Sequence, residues 1–164
     1  KRLDQGRNEV KNMSNKAIGT RFERDFAAAL NEHGFWVHLF QDNHNGQPCD
    51  VIAARNGHTY LFDCKECVGN FFRLDRMAEN QLNAMKLFEL TGNSRGKFAI
   101  RFGGMQTYLV DYWQLMALKD KGHKQIDRID CRLYGMEFSA WVAQRNAADG
   151  WIMEGWDDAD HYWQ

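Results

Sequence analysis

The stretch PCDVIAARNGHTYLFDCKE, residues 48–66, decides how this chain folds. Asn56-Gly57 stands at its centre. That dipeptide between two apolar runs is the strongest two-residue hairpin signal, because both residues accept the positive φ of a tight turn. The stretch therefore reads as two antiparallel strands, 50–55 and 58–66. Side chains alternate along a strand, so Leu61, Asp63 and Lys65 share one face and Phe62, Cys64 and Glu66 the other. Asp63 and Lys65 point the same way, about 7 Å apart along the strand. Asp50 follows the chain's single proline but for Cys49 and opens the neighbouring strand. A two-residue turn sets it opposite the Asp63 end of its partner. Two carboxylates and an ammonium thus converge at one end of a sheet.

Two like charges that close repel unless a cation sits between them. A divalent metal supplies that cation. Mg²⁺, for which Mn²⁺ may substitute, takes hard oxygen ligands, one or two of them carboxylates, and leaves the remaining positions to water and phosphate oxygens. Such an ion lowers the pKa of a bound water and holds a phosphate. A lysine beside it orients the water or stabilises the charge that develops on phosphorus. Taken alone, Asp-x-Lys is common and describes a surface ion pair equally well. The second acid behind a proline, with a hairpin between the two, favours a metal-dependent phosphoester site.

The 164 residues suit one domain with a sizeable core, and 44 % hydrophobic content is enough to pack it. No apolar run approaches the roughly 20 residues of a membrane span, and no segment reads as a secretory leader. Four cysteines (Cys49, Cys64, Cys67 and Cys131) are few for a disulfide frame and suit reduced thiols in a cytoplasm, that of a bacterium or of a phage-infected bacterial cell. Net charge is −1, so the bulk balance does not announce a nucleic-acid binder. The distribution says more. Residues 1–24 carry seven Lys and Arg against three acids, residues 119–132 carry five against three, and the last 16 hold five acids and no Lys or Arg. A charge run is usually a solvated face. Flanking a candidate site, Lys16, Arg21 and Arg24 of the first segment and Lys121 and Lys124 of the second, with Arg73 after the hairpin, are candidate phosphate contacts.

Periodicity sets the layout. Residues 16–33 read as a helix, with Ser14 or Asn15 as its cap and Gly34 as its stop. Residues 35–40 read as a buried strand, and 41–48 as a polar loop. After the 50–66 hairpin come a helix over 75–90, a second hairpin of 97–102 and 106–111 around Gly103-Gly104, and a helix over 112–119. Beyond 120 the pattern blurs, with a helix near 137–146. The expected architecture is α/β, a central mixed sheet flanked by helices in αβββαβ order. One domain spans 1–164: a basic arm at 1–15, a core at 17–118 and a C-terminal extension at 119–164.

Pro48-Cys49-Asp50 followed by Asp63-Cys64-Lys65 resembles the PD-(D/E)xK nuclease signature, and the element order resembles that restriction-endonuclease-like core. CDVIAARNGHTYLFDCKE, FFRLDRMAENQ, KFAIRFGGMQTYLVDYWQL and GTRFERDFAAAL together are similar to RecU-type Holliday junction resolvases, including phage-encoded relatives. The similarity covers about 17–118 and is strongest at 48–82. It implies a Mg²⁺-dependent endonuclease of branched DNA, the four-way junction above all, working as a homodimer. It implies Asp50 and Asp63 as metal ligands, Lys65 as the catalytic lysine, Glu23 on the first helix as a further acid and metal ligand, and Gln81 on the second helix as the glutamine that completes the site. Gln81 also shares a helical stripe with Ala78, Met85 and Phe88, so an amide falls on an inward face, where a satisfied core amide is the equal alternative. Glu66 faces away from the others on a regular strand.

Two features depart from that family. The second acid is aspartate where RecU-type proteins usually show glutamate. The long stalk before the first acid is missing, and only QDNHNGQ precedes Pro48. Junction selectivity is therefore open, with linear duplex or flaps as alternative substrates and a catalytically idle DNA-binding module as the alternative function. Cys64-Lys65-Glu66-Cys67 spells C-x-x-C, but on a continuing strand its thiols point to opposite faces and no second pair has zinc-ligand spacing. The histidines form no metal motif; His44 is nearest in sequence to the site. The aromatics Trp151, Trp156, Tyr162 and Trp163 either stack on bases or dock the tail on the domain or on a second subunit.

Overall fold

The computed structural model of the chain describes residues 14–41 and 46–151. The basic arm up to Met13, His44 and the acidic, aromatic tail beyond Trp151 lie outside the described residues. Asn56 and Gly57 hold φ of 51° and 77°, the two positive values that the tight hairpin needs. β2 (Val51–Arg55) and β3 (His58–Cys67) pair antiparallel across that turn, from Arg55 opposite His58 to Val51 opposite Phe62. β1 (Trp36–Leu39) lies outside β2, also antiparallel.

On its other edge β3 takes β5 (Lys97–Phe102) in parallel, with Asp63 opposite Phe98 and Lys65 opposite Ile100. A parallel step needs a crossover. Here it is made by β4 (Phe72–Arg73), a 3₁₀ turn (Leu74–Arg76) and α2 (Glu79–Leu90). β6 (Thr107–Asp111) returns antiparallel to β5. The six-stranded sheet runs β1-β2-β3-β5-β6-β8, its last member β8 being Met136–Glu137, and β4 pairs with β7 (Gln125–Ile126) as a separate ribbon. The sheet is mixed, as expected, through its one parallel step.

Strand alternation sends the apolar side chains to two cores, one on each face. On one face Phe22, Phe26 and Leu30 of α1 (Asn15–Glu32) and Trp141 and Val142 of α5 (Phe138–Asp149) pack on Phe62, Cys64, Ala99 and Leu109. On the other, Met85 of α2 and Leu115 and Leu118 of α3 (Tyr112–Asp120) pack on Phe98, Ile100, Tyr108 and Val110. Ser14 caps α1, its Oγ accepting from the Ala17 amide at 3.2 Å.

Two expectations change. The helix anticipated over 75–90 begins only at Glu79, because Met77 and Ala78 are extended and Phe72 and Arg73 pair with Ile126 and Gln125. Phe72, Leu74 and Met77 are the buried residues there, and an extended ribbon followed by one tight turn is the conformation that sinks all three. Between 121 and 151 the blurred region holds defined elements: α4 (Arg128–Tyr134), capped by Asp127, precedes β8, and α5 reaches Asp149 rather than 146. Ile126, Cys131, Trp141 and Val142 are buried, so this segment is built into the cores and the sheet.

A buried ion pair holds α5 down. The side chains of Arg55, at the end of β2, and Asp149 are each 2 % exposed, with Nη2 2.9 Å from Asp149 Oδ2. Arg55 Nε donates to the same oxygen at 2.9 Å, and Nη1 donates to the His33 carbonyl and to Asn146 Oδ1, both at 2.9 Å. The rings of Phe35 and Trp151 flank the guanidinium at 4.1 and 4.8 Å, so Trp151 docks on the domain. Removing one partner leaves a buried charge alone. Asp149→Ala is expected to cost about 3–5 kcal/mol. Urea unfolding should show a lower midpoint with an unchanged slope; an unmoved midpoint would mean that packing alone holds α5.

Candidate active site

Asp63 is fully buried, its face of β3 turned toward α2. Lys65 Nζ stands 2.6 Å from Asp63 Oδ1. The contact is an ion pair without hydrogen-bond geometry, so neither oxygen of the Asp63 carboxylate has a hydrogen-bond donor. Lys65 Nζ also donates to Gln81 Oε1 at 3.4 Å, which fixes the lysine between strand and helix. Gln81 holds a second position at the same time, its Oε1 lying 3.4 Å from the Ala78 amide at the start of α2. The inward amide is thus partnered, and its partner is the signature lysine.

Asp50 is half-buried just before β2, and one carboxylate oxygen accepts from the Cys64 amide at 2.6 Å. Its own amide donates to the Phe62 carbonyl at 3.0 Å, which carries the hairpin register one step past Val51. Asp50 and Asp63 are close enough that the charge of Asp50 makes Asp63 harder to ionise. Glu23 comes from α1, over the opposite face of the sheet, where its charge is felt by the Cys64 thiol. A cleft of about 760 Å³ is lined by Glu23, Lys16 and Gly19 of α1 and by Cys64, Lys65 and Arg76; Lys65 and Glu23 reach it, whereas Asp50, Asp63 and Gln81 are not among its lining residues. Among the described residues no three Asp, Glu, His or Cys side chains meet closely enough to cage a metal. The two aspartates are neighbours, and Glu23 faces the cleft from its other wall.

The family model of the archaeal Holliday junction resolvase (Hjc) matches residues 14–147. The chain belongs to that family. Among solved structures, Hjc of Archaeoglobus fulgidus, a Holliday junction resolvase from an archaeal hyperthermophile, is similar with a TM-score of 0.59 at 19 % identity, over 76 % of this chain and 99 % of that one. That likeness is one of fold, and it is the restriction-endonuclease-like fold expected. No curated protein sequence matches. The family is that of Hjc, so the resolvase assignment stands, whereas the RecU-type grouping is finer than this match.

As a member of the resolvase family the chain is a nuclease, and its cations can be sorted by position. Lys16 lines the cleft, and Arg21 and Arg24 line a shallow depression beside it on α1. Arg73 lies on the β4 ribbon, exposed and paired to Asp75 at 2.5 Å. Lys121 and Lys124 are exposed in the turn after α3, where the Lys124 carbonyl accepts from the Leu74 amide at 3.0 Å. None of these three lines the cleft. Glu66 is held elsewhere: Arg101 pairs with it, and the Gly104 amide donates to Oε1 at 2.8 Å. Arg76 in the cleft was not legible as a site residue, because a helix over 75–90 would have given it another direction. All four cysteines are buried and free, and Cys64 and Cys67 belong to opposite cores. Burial, then Asp50 and Asp63, pushes the Cys49 thiol up to about 12, and burial raises that of Cys64 well above its usual value. Neither is a ready thiolate.

Burial raises the Asp63 carboxyl from 3.8 to about 7; Lys65 opposes the rise and Asp50 adds to it. The folded chain therefore holds this proton more tightly than the unfolded chain. The resulting stability is fully present below about pH 4 and is lost as pH rises through about 7. With metal chelated, Asp63→Asn should be more stable than wild type at pH 8, by up to about 4 kcal/mol for a three-unit shift, and should lose that advantage toward pH 4. Urea unfolding across this range checks it. Adding Mn²⁺ at pH 8 should stabilise wild type and leave Asp63→Asn unmoved; parallel pH curves for the two chains would contradict the assignment.

Proposed function

We propose that the chain resolves four-way DNA junctions by Mg²⁺-dependent phosphodiester hydrolysis at Asp50, Asp63 and Lys65, with Mn²⁺ able to replace Mg²⁺. The observation that carries this is the Asp63 carboxylate, fully buried, with the Lys65 ammonium 2.6 Å from one oxygen and no donor on the other, beside a second aspartate. Two neighbouring carboxylates against the Lys65 ammonium leave negative charge in excess, and a metal cation completes the set. The donors are hard carboxylate oxygens, which suit Mg²⁺ or Mn²⁺ rather than a thiophilic ion. Two carboxylates suffice, because Mg²⁺ keeps several of its waters. Asp50 and Asp63 would hold the ion, with Glu23 reaching it from the α1 wall. Bound there, the ion would polarise the scissile phosphate and acidify a water.

The chain's own groups do the rest. The Cys64 amide locks Asp50 in place, so its position relative to β3 is set by the sheet. Lys65, its side chain 14 % exposed, is held by Asp63 and Gln81 and lines the cleft. It can donate to a non-bridging phosphate oxygen or orient the attacking water, and in both roles it stabilises charge that grows in the transition state. Gln81 positions the lysine. Lys16, Arg21 and Arg24 on α1 would take backbone phosphates at the cleft mouth. Symmetric cutting of two strands calls for two sites, hence a homodimer with two-fold symmetry. Kinship with RecU-type enzymes within this class rests on the sequence resemblance over about 17–118, strongest at 48–82.

Labelled four-way junction, linear duplex and flap substrates test the reading. Chelator should stop cleavage of the junction, and Mg²⁺ or Mn²⁺ should restore it. Asp63→Asn should lower the rate on the order of a thousandfold or more while junction binding persists. Lys65→Ala should cripple cutting without losing metal affinity. Near wild-type rates in both variants would place the chemistry elsewhere, and equal cutting of linear duplex would remove junction selectivity.

A further inference from the structure

Arg76 ends the 3₁₀ turn after β4, and the mechanism above does not use it. Its Nη1 donates to the Glu66 carbonyl at 3.1 Å and to Cys67 Sγ at 3.5 Å. The guanidinium lies over the buried Phe72 ring, 5.6 Å from its centre. It is thus moored to the continuation of β3, just past Lys65, and lines the same cleft as Lys65, Glu23 and Lys16. Its charge reaches Asp63, whose carboxyl it makes easier to ionise.

Arg55, Arg73, Arg95, Arg101 and Arg132 each pair with a carboxylate. Arg76 does not: among the described residues its hydrogen-bond acceptors are a carbonyl and a thiol, both neutral. A guanidinium is a planar fork of five donors, and here one corner is anchored while the opposite edge makes no hydrogen bond to the described protein. A pre-oriented cation with an unused edge, beside a lysine and in a cleft that takes DNA, matches the bidentate geometry of phosphate.

We propose that Arg76 is a phosphate-binding residue of the cleft, its open edge taking the non-bridging oxygens of a DNA phosphate next to the one that Lys65 faces. The proposal rests on the cleft being the resolvase site. It also assigns the reason for the extended backbone at 72–78: a helix beginning at 75 would not moor Arg76 to the end of β3.

Binding of a four-way junction is measured in chelator across a salt series for wild type, Arg76→Gln and Arg76→Lys. Glutamine keeps a donor for the Glu66 carbonyl and removes the charge. It should weaken binding on the order of tenfold and reduce the slope of log affinity against log salt by about one. Lysine should restore the slope but not the full affinity, since it lacks the fork. Single methylphosphonates placed one at a time around the cut should include one that slows wild-type cleavage on the order of tenfold and slows Arg76→Gln no further. An unchanged salt slope in Arg76→Gln, or a wild-type response to every methylphosphonate in that variant, overturns the proposal and leaves Arg76 a structural tie. A wild-type chain that binds junctions yet cuts none overturns the functional reading instead, and the salt slope still decides Arg76.

Discussion

A carboxylate removed from water, with a second carboxylate beside it and one lysine ammonium against it, is the constraint on which this structure turns. Asp63 sits in the central sheet between β2 and β5, opposite Phe98, with an apolar core on each side. Its burial lifts its pKa to about 7, so near neutrality it wavers between a protonated acid and a charged group in need of a cation. Everything nearby is arranged around that need. Lys65 supplies a charge at 2.6 Å, Gln81 keeps the lysine there, and the Cys64 amide holds the second aspartate beside it. Such a site is expensive to keep in a sheet unless a metal and a phosphate complete it.

The remaining charges divide into two groups with different physics. Arg55 with Asp149, and Arg101 with Glu66, close on themselves and tie segments of chain that are distant in sequence. Their charge is cancelled and unavailable to a ligand. Lys16, Arg21, Arg24 and Arg76 border the cleft or the depression beside it. Net charge of −1 therefore conceals an uneven distribution, with cations gathered along α1 and the cleft. The fold shared with Archaeoglobus fulgidus Hjc persists at 19 % identity. A shared fold survives wide divergence when what must be preserved is strand register and two cores, which many apolar sets satisfy.

The sequence by itself determined the hairpin and what it carries. Asn56-Gly57 permits essentially one turn, the turn sets the register, and strand alternation then puts Asp63 with Lys65 and sends Phe62 and Cys64 to the other core. Local rules were enough for Asp50 against Asp63, for the separation of the two C-x-x-C thiols, and for α1 with its Ser14 cap. What lies beyond local rules came from tertiary structure. Phe72, Leu74 and Met77 suit a helix as well as a ribbon, and pairing with Gln125–Ile126, more than fifty residues on, chose the ribbon and turned Arg76 into the cleft. The strand at 136–137 is two residues long and exists only because β6 offers it an edge. Glu23 and Lys65 meet across a cleft because α1 and the sheet end pack that way, a contact between segments forty residues apart that no spacing encodes. Register is a property of neighbours in sequence; the shape of a site is a property of neighbours in space.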